Sequence, residues 1–162
     1  MIRMSKNVDM SKYHADKKFG KRNQEGALKH LDQVFSVMLD KNVEVKEFGC
    51  HTSRFDYYIP NEKILIELKS RRCTYEDYPT QLLGIKKIES SRKNMKDGYR
   101  VFFAFLLQNK NDIDKMDLYM FEDELDNEYE IRMLGNFVRN DKKTKCCIVR
   151  NDDLTFISSV SF

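Results

Sequence analysis

The chain has 162 residues, of which 41% are hydrophobic, 12% aromatic and 34% charged, which suits one domain with one core and excludes a molecule that is mostly disordered. No apolar run reaches the roughly 18 to 20 residues that a membrane-spanning helix needs, and the opening MIRMSKNVDMSKYHADKK has no apolar secretory core, so an intracellular protein with no membrane partner is expected. The formal net charge is only +3, but residues 1–22 carry seven basic against two acidic side chains, residues 69–100 nine against four, and residues 110–130 nine acids against two lysines.

In chain order, residues 1–20 show little periodicity and are expected to be a flexible basic arm or a short helix ending at Gly20. From Lys21 to about Asp40, Leu28, Leu31, Phe35 and Met38, with Ala27 and Val34 beside them, recur at helical spacing and predict an amphipathic helix. Val43–Phe48 predicts a first strand, followed by Gly49 and a polar turn in which His51 has no partner fixed by spacing. Phe55, Tyr57, Tyr58 and Ile59, then Ile64, Ile66 and Leu68, form two β-rich runs around the turn residues Pro60-Asn61-Glu62, which predicts a hairpin. After the loop SRRCTYEDYP, Thr80 is placed to cap a helix from Gln81 to about Lys96, with Leu82, Ile85 and Ile88 on successive turns. Gly98 ends that helix, and VFFAFLLQ, Val101–Gln108, predicts a central strand buried on both faces. Leu118–Phe121, Cys146–Arg150 and Leu154–Ile157 are expected as short strands.

The expected fold is therefore α/β, a mixed β-sheet in α-β-β-β-α-β order with a small C-terminal β extension, as one domain over residues 21–162. Cys50, Cys73, Cys146 and Cys147 match no C-x2-C spacing and are read as reduced thiols.

The chemistry concentrates in RFDYYIPNEKILIELK, residues 54–69, where charged side chains interrupt strand sequence. Alternation aims Glu67 and Lys69 at one face of the second strand. If Pro60–Lys63 form a four-residue loop, Ile59 pairs with Ile64 and Asp56 falls opposite Glu67. Two carboxylates with an ammonium beside them suit Mg²⁺, which takes one or two carboxylates and keeps several waters. Lys69 could orient the attacking water and neutralise charge growing on a phosphate. A rival triplet, Glu44-Val45-Lys46, lacks an opposing aspartate. The alternative for Asp56, Glu67 and Lys69 is a ladder of ion pairs on a solvated sheet face.

On these residues the chain resembles the PD-(D/E)xK nuclease superfamily: D56-x10-E67-L-K69 lies on two adjacent predicted strands, with Phe55 in place of the motif's proline. The resemblance implies a restriction-endonuclease-like core. It also implies metal held by Asp56, Glu67 and the Leu68 carbonyl, and hydrolysis of DNA with Mg²⁺, or Mn²⁺ in its place, to a 5′-phosphate and a 3′-hydroxyl. The run GKRNQEGALKHLDQVF resembles the opening helix of that fold, and of archaeal Holliday-junction resolvases in particular, which by analogy gives Glu25 to the metal directly or through water. Gln81 resembles the glutamine of a Q-x3-Y motif in one branch, with Ile85 at the tyrosine position. Arg71, Arg72, Lys86, Lys87, Arg92 and Lys93 form the basic flank that would meet the phosphate backbone. Many members of the superfamily act as homodimers. The length favours structure-selective cleavage over recognition of a long site, and restriction-like and exonuclease roles stay open. The competing expectation is a nuclease-like module that binds nucleic acid without cutting it.

Overall fold

A computed structural model of the chain describes residues 10–49, 54–134 and 143–161. It is an α/β structure with two helices and two sheets. The first helix, α1, spans Met10–Leu39. The strands are β1 (Lys46–Glu47), β2 (Tyr57–Ile59), β3 (Ile64–Ser70) and β4 (Thr80–Gly84), then, after the helix α2 (Ile85–Lys96), β5 (Arg100–Gln108), β6 (Lys115–Glu122), β7 (Glu130–Leu134), β8 (Thr144–Arg150) and β9 (Thr155–Ser161). A six-stranded sheet has the order β1-β2-β3-β5-β6-β9, and a three-stranded sheet the order β4-β8-β7. Among the described residues only β3 and β5 pair in parallel. Among the described residues no helix is long and apolar enough to cross a membrane.

The large sheet is covered on both faces. On one side Ala27, Leu31 and Phe35 of α1 pack on Ile64, Ile66, Leu68, Phe102, Ala104 and Leu106. On the other, Ile88 of α2 and Leu83, Cys147 and Val149 of the small sheet pack on Leu65, Val101, Phe103, Phe105 and Leu107. Residues 101–107 of β5 are buried without a break, as the continuous apolar run predicts for a strand between two layers. The even residues of β3 face α1 and its odd residues face α2, which places Glu67 and Lys69 in the α2 layer.

Several elements differ from the sequence-based expectation. Helix α1 begins at Met10 and runs through Gly20, because a helix-interior glycine costs only about 1 kcal/mol relative to alanine; residues 1–9 of the expected arm lie outside the described residues. The first strand shrinks from Val43–Phe48 to two residues. The amides of Val43 and Val45 donate instead to Ser36 Oγ (3.1 Å) and Asp32 Oδ1 (2.6 Å) on α1, so this segment is tied to the helix as well as to β2. The stretch Thr80–Gly84, expected to open a helix, is strand β4, paired with β8 as Thr80↔Arg150 through Gly84↔Cys146. Residues Gln81 and Leu83 bury while Leu82 and Gly84 do not, a period of two that the pairing with β8 enforces. Strand β7 was not anticipated. The C-terminal strands are longer than expected but lie where expected. His51 and Cys50 lie outside the described residues; among those described, Cys73, Cys146 and Cys147 are free thiols.

Candidate functional site

The hairpin register is the expected one: Ile59↔Ile64, Tyr58↔Leu65 and Tyr57↔Ile66. Asn61 and Lys63 take left-handed conformations in its turn, at φ 66° and 52°. The ladder ends there: Asp56, just before β2, donates its amide to the carbonyl of Ile66, the partner of Tyr57, at 3.1 Å, and its carboxylate lies close enough to Glu67 to feel that charge. Asp56 Oδ2 then accepts the Leu68 N–H at 2.9 Å. Because the N–H and C=O of one strand residue point to the same edge, the Leu68 carbonyl is directed to the Asp56 side as well.

Glu67 is 1% exposed, and each of its oxygens meets an ammonium. Lys69, two residues on and on the same face, places Nζ 2.5 Å from Oε1. Lys87, in the first turn of α2, places Nζ 3.0 Å from Oε2, donates to the Arg54 carbonyl and lies 6.0 Å from the centre of the Phe55 ring. The two lysine side chains keep 30% and 25% exposure, so the cluster reaches solvent through them.

Asp56 is raised from the ordinary 3.8 to about 6. Burial is the main cause and the Glu67 charge the next, opposed by the Leu68 N–H, Lys69 and Lys87. A carboxyl whose ionised form is disfavoured by a second carboxylate is a place where added positive charge is stabilising. Asp56, Glu67 and the Leu68 carbonyl are hard oxygen donors on adjacent strands, a set that fits a divalent cation keeping several waters. Among the described residues no cluster of three or more His, Cys, Asp and Glu side chains is placed to hold a metal.

Other expected site residues lie elsewhere. Glu25 is exposed on α1, which packs on the opposite face of the sheet; the link is Tyr57, whose hydroxyl donates to the neighbouring Gln24 carbonyl at 3.2 Å. Burial, followed by the charges of Asp56, Glu47 and Glu25, pushes the Tyr57 phenol up. Gln81 is on β4 and not on a helix, and its amide is committed to a clasp: Nε2 donates to Asn151 Oδ1 at 3.3 Å, while Asn151 Nδ2 donates to the carbonyls of Tyr75 and Tyr78 at 2.8 and 2.7 Å. That clasp fastens the loop after β3 to the turn after β8.

The basic flank divides in the same way. Lys86 and Lys93 are exposed on α2, and Arg72 is exposed in the loop. Arg71 is half-buried and donates to the carbonyls of Ser70 and Leu82 at 3.5 and 3.4 Å. Arg92, expected to face a phosphate backbone, turns to Asp123 (Nε to Oδ2, 3.4 Å) and to the carbonyls of Leu125 and Asn127.

Two features escape sequence reasoning. Asp123 reads as one of an acidic run, yet it is buried and accepts from Ser91 Oγ and the Tyr129 hydroxyl, both at 2.6 Å. That the lysine meeting Glu67 is Lys87 and not Lys86 depends on where α2 begins, and that is decided by β4. No family model matches the chain, and no curated protein or solved structure matches it.

Proposed function

We propose that this protein is a metal-dependent nuclease that hydrolyses DNA phosphodiesters, with Asp56, Glu67 and Lys69 as its reacting centre. One observation carries the reading: a buried carboxylate and a charge-strained one meet on adjacent strands, with an ammonium from the same strand at their side. The helix, the hairpin and the parallel β3–β5 pair that follows support the likeness to the PD-(D/E)xK nucleases, and with it a restriction-endonuclease-like core.

Asp56, Glu67 and the Leu68 carbonyl would hold Mg²⁺ or Mn²⁺, which supplies charge neutralisation at the scissile phosphate and a more acidic attacking water. Asp56 is tied to β3 by its amide on the Ile66 carbonyl and its carboxylate on the Leu68 N–H, so backbone contacts fix its place beside Glu67. Lys69, partly exposed beside Glu67, orients the water and offsets charge on the phosphorane-like transition state. In-line attack forms the new O–P bond and breaks the bond to the 3′ oxygen, which leaves as a hydroxyl and leaves a 5′-phosphate. Lys86, Lys93 and Arg72 supply the electrostatic approach surface. Cutting both strands of a duplex calls for a homodimer; acting on branched or nicked DNA does not.

The test is cleavage of labelled linear, nicked, flapped and four-way-junction DNA with Mg²⁺ or Mn²⁺, by wild type, Asp56→Asn and Glu67→Gln. Metal-dependent cutting lost in both variants is expected. A second reading has its own observation: Glu67 is already matched by two lysines, which suits a module that binds nucleic acid without metal. In that case Mn²⁺ leaves the melting temperature unchanged and all three proteins bind DNA without cutting it.

A further inference from the structure

Lys69 and Lys87 reach the same carboxylate by different routes. Lys69 belongs to β3, and its place beside Glu67 follows from the strand's period of two. Lys87 comes from α2, a separate element, on a flexible four-carbon stem, and its Nζ takes the other oxygen at 3.0 Å. Its remaining contacts are the Arg54 carbonyl, to which it donates, and the face of Phe55, neither of which carries a negative charge. Glu67 therefore takes both ammonium groups in direct contact, while Asp56 beside it accepts the Leu68 N–H and feels the same two lysines from further away.

We propose that Lys87 is a resident counter-ion for Glu67 that leaves when a divalent cation arrives and then pairs with a phosphate of the nucleic acid, so that metal and nucleic acid bind cooperatively through this one side chain. The inference rests on reading Asp56 and Glu67 as the metal ligands. A divalent cation at Glu67 repels an ammonium held at the same oxygen twice as strongly as a monovalent one would. Lys87 can withdraw by side-chain rotation, with no change in α2, because a quarter of it already reaches solvent. A bound phosphodiester offers the displaced ammonium a new anionic partner. By linkage, whatever the nucleic acid adds to metal affinity the metal adds to nucleic-acid affinity.

The experiment measures Ca²⁺ and Mn²⁺ binding to the full chain by calorimetry, with and without a fluorescent oligonucleotide whose integrity is checked on a gel. Wild type is compared with Lys87→Met, Lys87→Arg and, as a control at the far end of α2, Lys96→Met. Without nucleic acid, Lys87→Met should bind metal about tenfold more tightly than wild type, because the competing charge is gone. Lys87→Arg and Lys96→Met should stay near wild type. The oligonucleotide should tighten metal binding to wild type and much less to Lys87→Met. Equal or weaker metal binding by Lys87→Met, with Asp56→Asn still abolishing it, overturns the inference and leaves the metal site standing. No binding of either metal to wild type removes the metal site and this inference with it. If Lys87→Met does not fold, the wild-type measurement still decides: no mutual strengthening of metal and oligonucleotide binding refutes the coupling.

Discussion

Replacing Asp56 by asparagine should make the metal-free protein more stable. The folded chain holds Asp56 at about 6 against an ordinary 3.8. Between those values the folded state keeps a proton that the unfolded state has lost, so the stability from this group is complete below about pH 4 and falls away as the pH rises through 6. A carboxyl moved that far disfavours its ionised form by about 3 kcal/mol, and solvent screening of a partly buried side chain brings the figure to about 2 to 3 kcal/mol at pH 7.5. Asparagine is nearly isosteric, cannot ionise, and its Oδ1 still accepts the Leu68 N–H that Asp56 accepts at 2.9 Å. In a chain of this size the gain corresponds to roughly 4 to 12 °C in melting temperature. Urea unfolding of wild type and Asp56→Asn in EDTA, at pH 4 and pH 7.5, measures it. The variants should coincide at pH 4 and separate at pH 7.5. An Asp56→Asn protein that is no more stable at pH 7.5, or a wild type indifferent to pH from 4 to 6.5, would refute the claim that burial and Glu67 strain this carboxyl.

Other substitutions divide chemistry from scaffold. Lys69→Met should lower the rate of metal-dependent DNA cleavage by about 10² to 10⁴ while metal binding, followed by calorimetry, persists. Asn151→Ala removes an amide that holds Tyr75, Tyr78 and Gln81; the unpaired carbonyls should cost about 3 kcal/mol in urea unfolding, with metal affinity unchanged. Asp123→Ala takes the carboxylate from Arg92, which keeps the Leu125 and Asn127 carbonyls, and removes the acceptor of Ser91 and Tyr129. It should cost about 3 to 5 kcal/mol, and hydrogen exchange of residues 123–129 should accelerate.

What the sequence made legible is what short-range rules decide. The hairpin was readable because Pro60–Lys63 sets Ile59 against Ile64; the ladder then runs to Tyr57↔Ile66, and Asp56, just beyond it, is held by the Ile66 carbonyl and the Leu68 N–H. Strand β5 was readable because only a strand covered on both sides needs seven consecutive apolar residues. Strand β4 was not, because Thr80–Gly84 carries no local signal for a partner that begins 60 residues later at Thr144, and Leu82, Ile85 and Ile88 fit helical spacing as well. Because Thr80–Gly84 is a strand, Gln81 lies on β4 in contact with Asn151, and α2 begins where Lys87 reaches Glu67. The contact of Arg92 with Asp123 was not legible for a related reason: Asp123 lies across the β5–β6 hairpin, and no spacing rule separates one buried aspartate from the acidic run around it.

The burial of the cluster separates it from a ladder of surface ion pairs, the alternative that the sequence left open. Pairs on a solvated face have both partners exposed, each charge matched, and contribute little. Arg100 with Glu122 is such a pair in this chain, with side chains 44% and 36% exposed. Glu67 is 1% exposed and takes the direct contact of both neighbouring lysines, which act on Asp56 only as weaker, more distant charges. Asp56 accepts a backbone N–H yet remains raised. A chain selected for stability alone would do better with asparagine at that position, which cannot ionise. Strain of this kind is typical of sites where activity opposes stability, and a divalent cation between the two carboxylates would relieve it. The stabilisation of wild type by Mn²⁺ should therefore weaken as the pH falls through 6, where Asp56 takes up a proton that competes with the metal. Thermal shifts measured with and without Mn²⁺ from pH 5 to pH 8 would show this; a shift independent of pH across that window would place the metal away from Asp56.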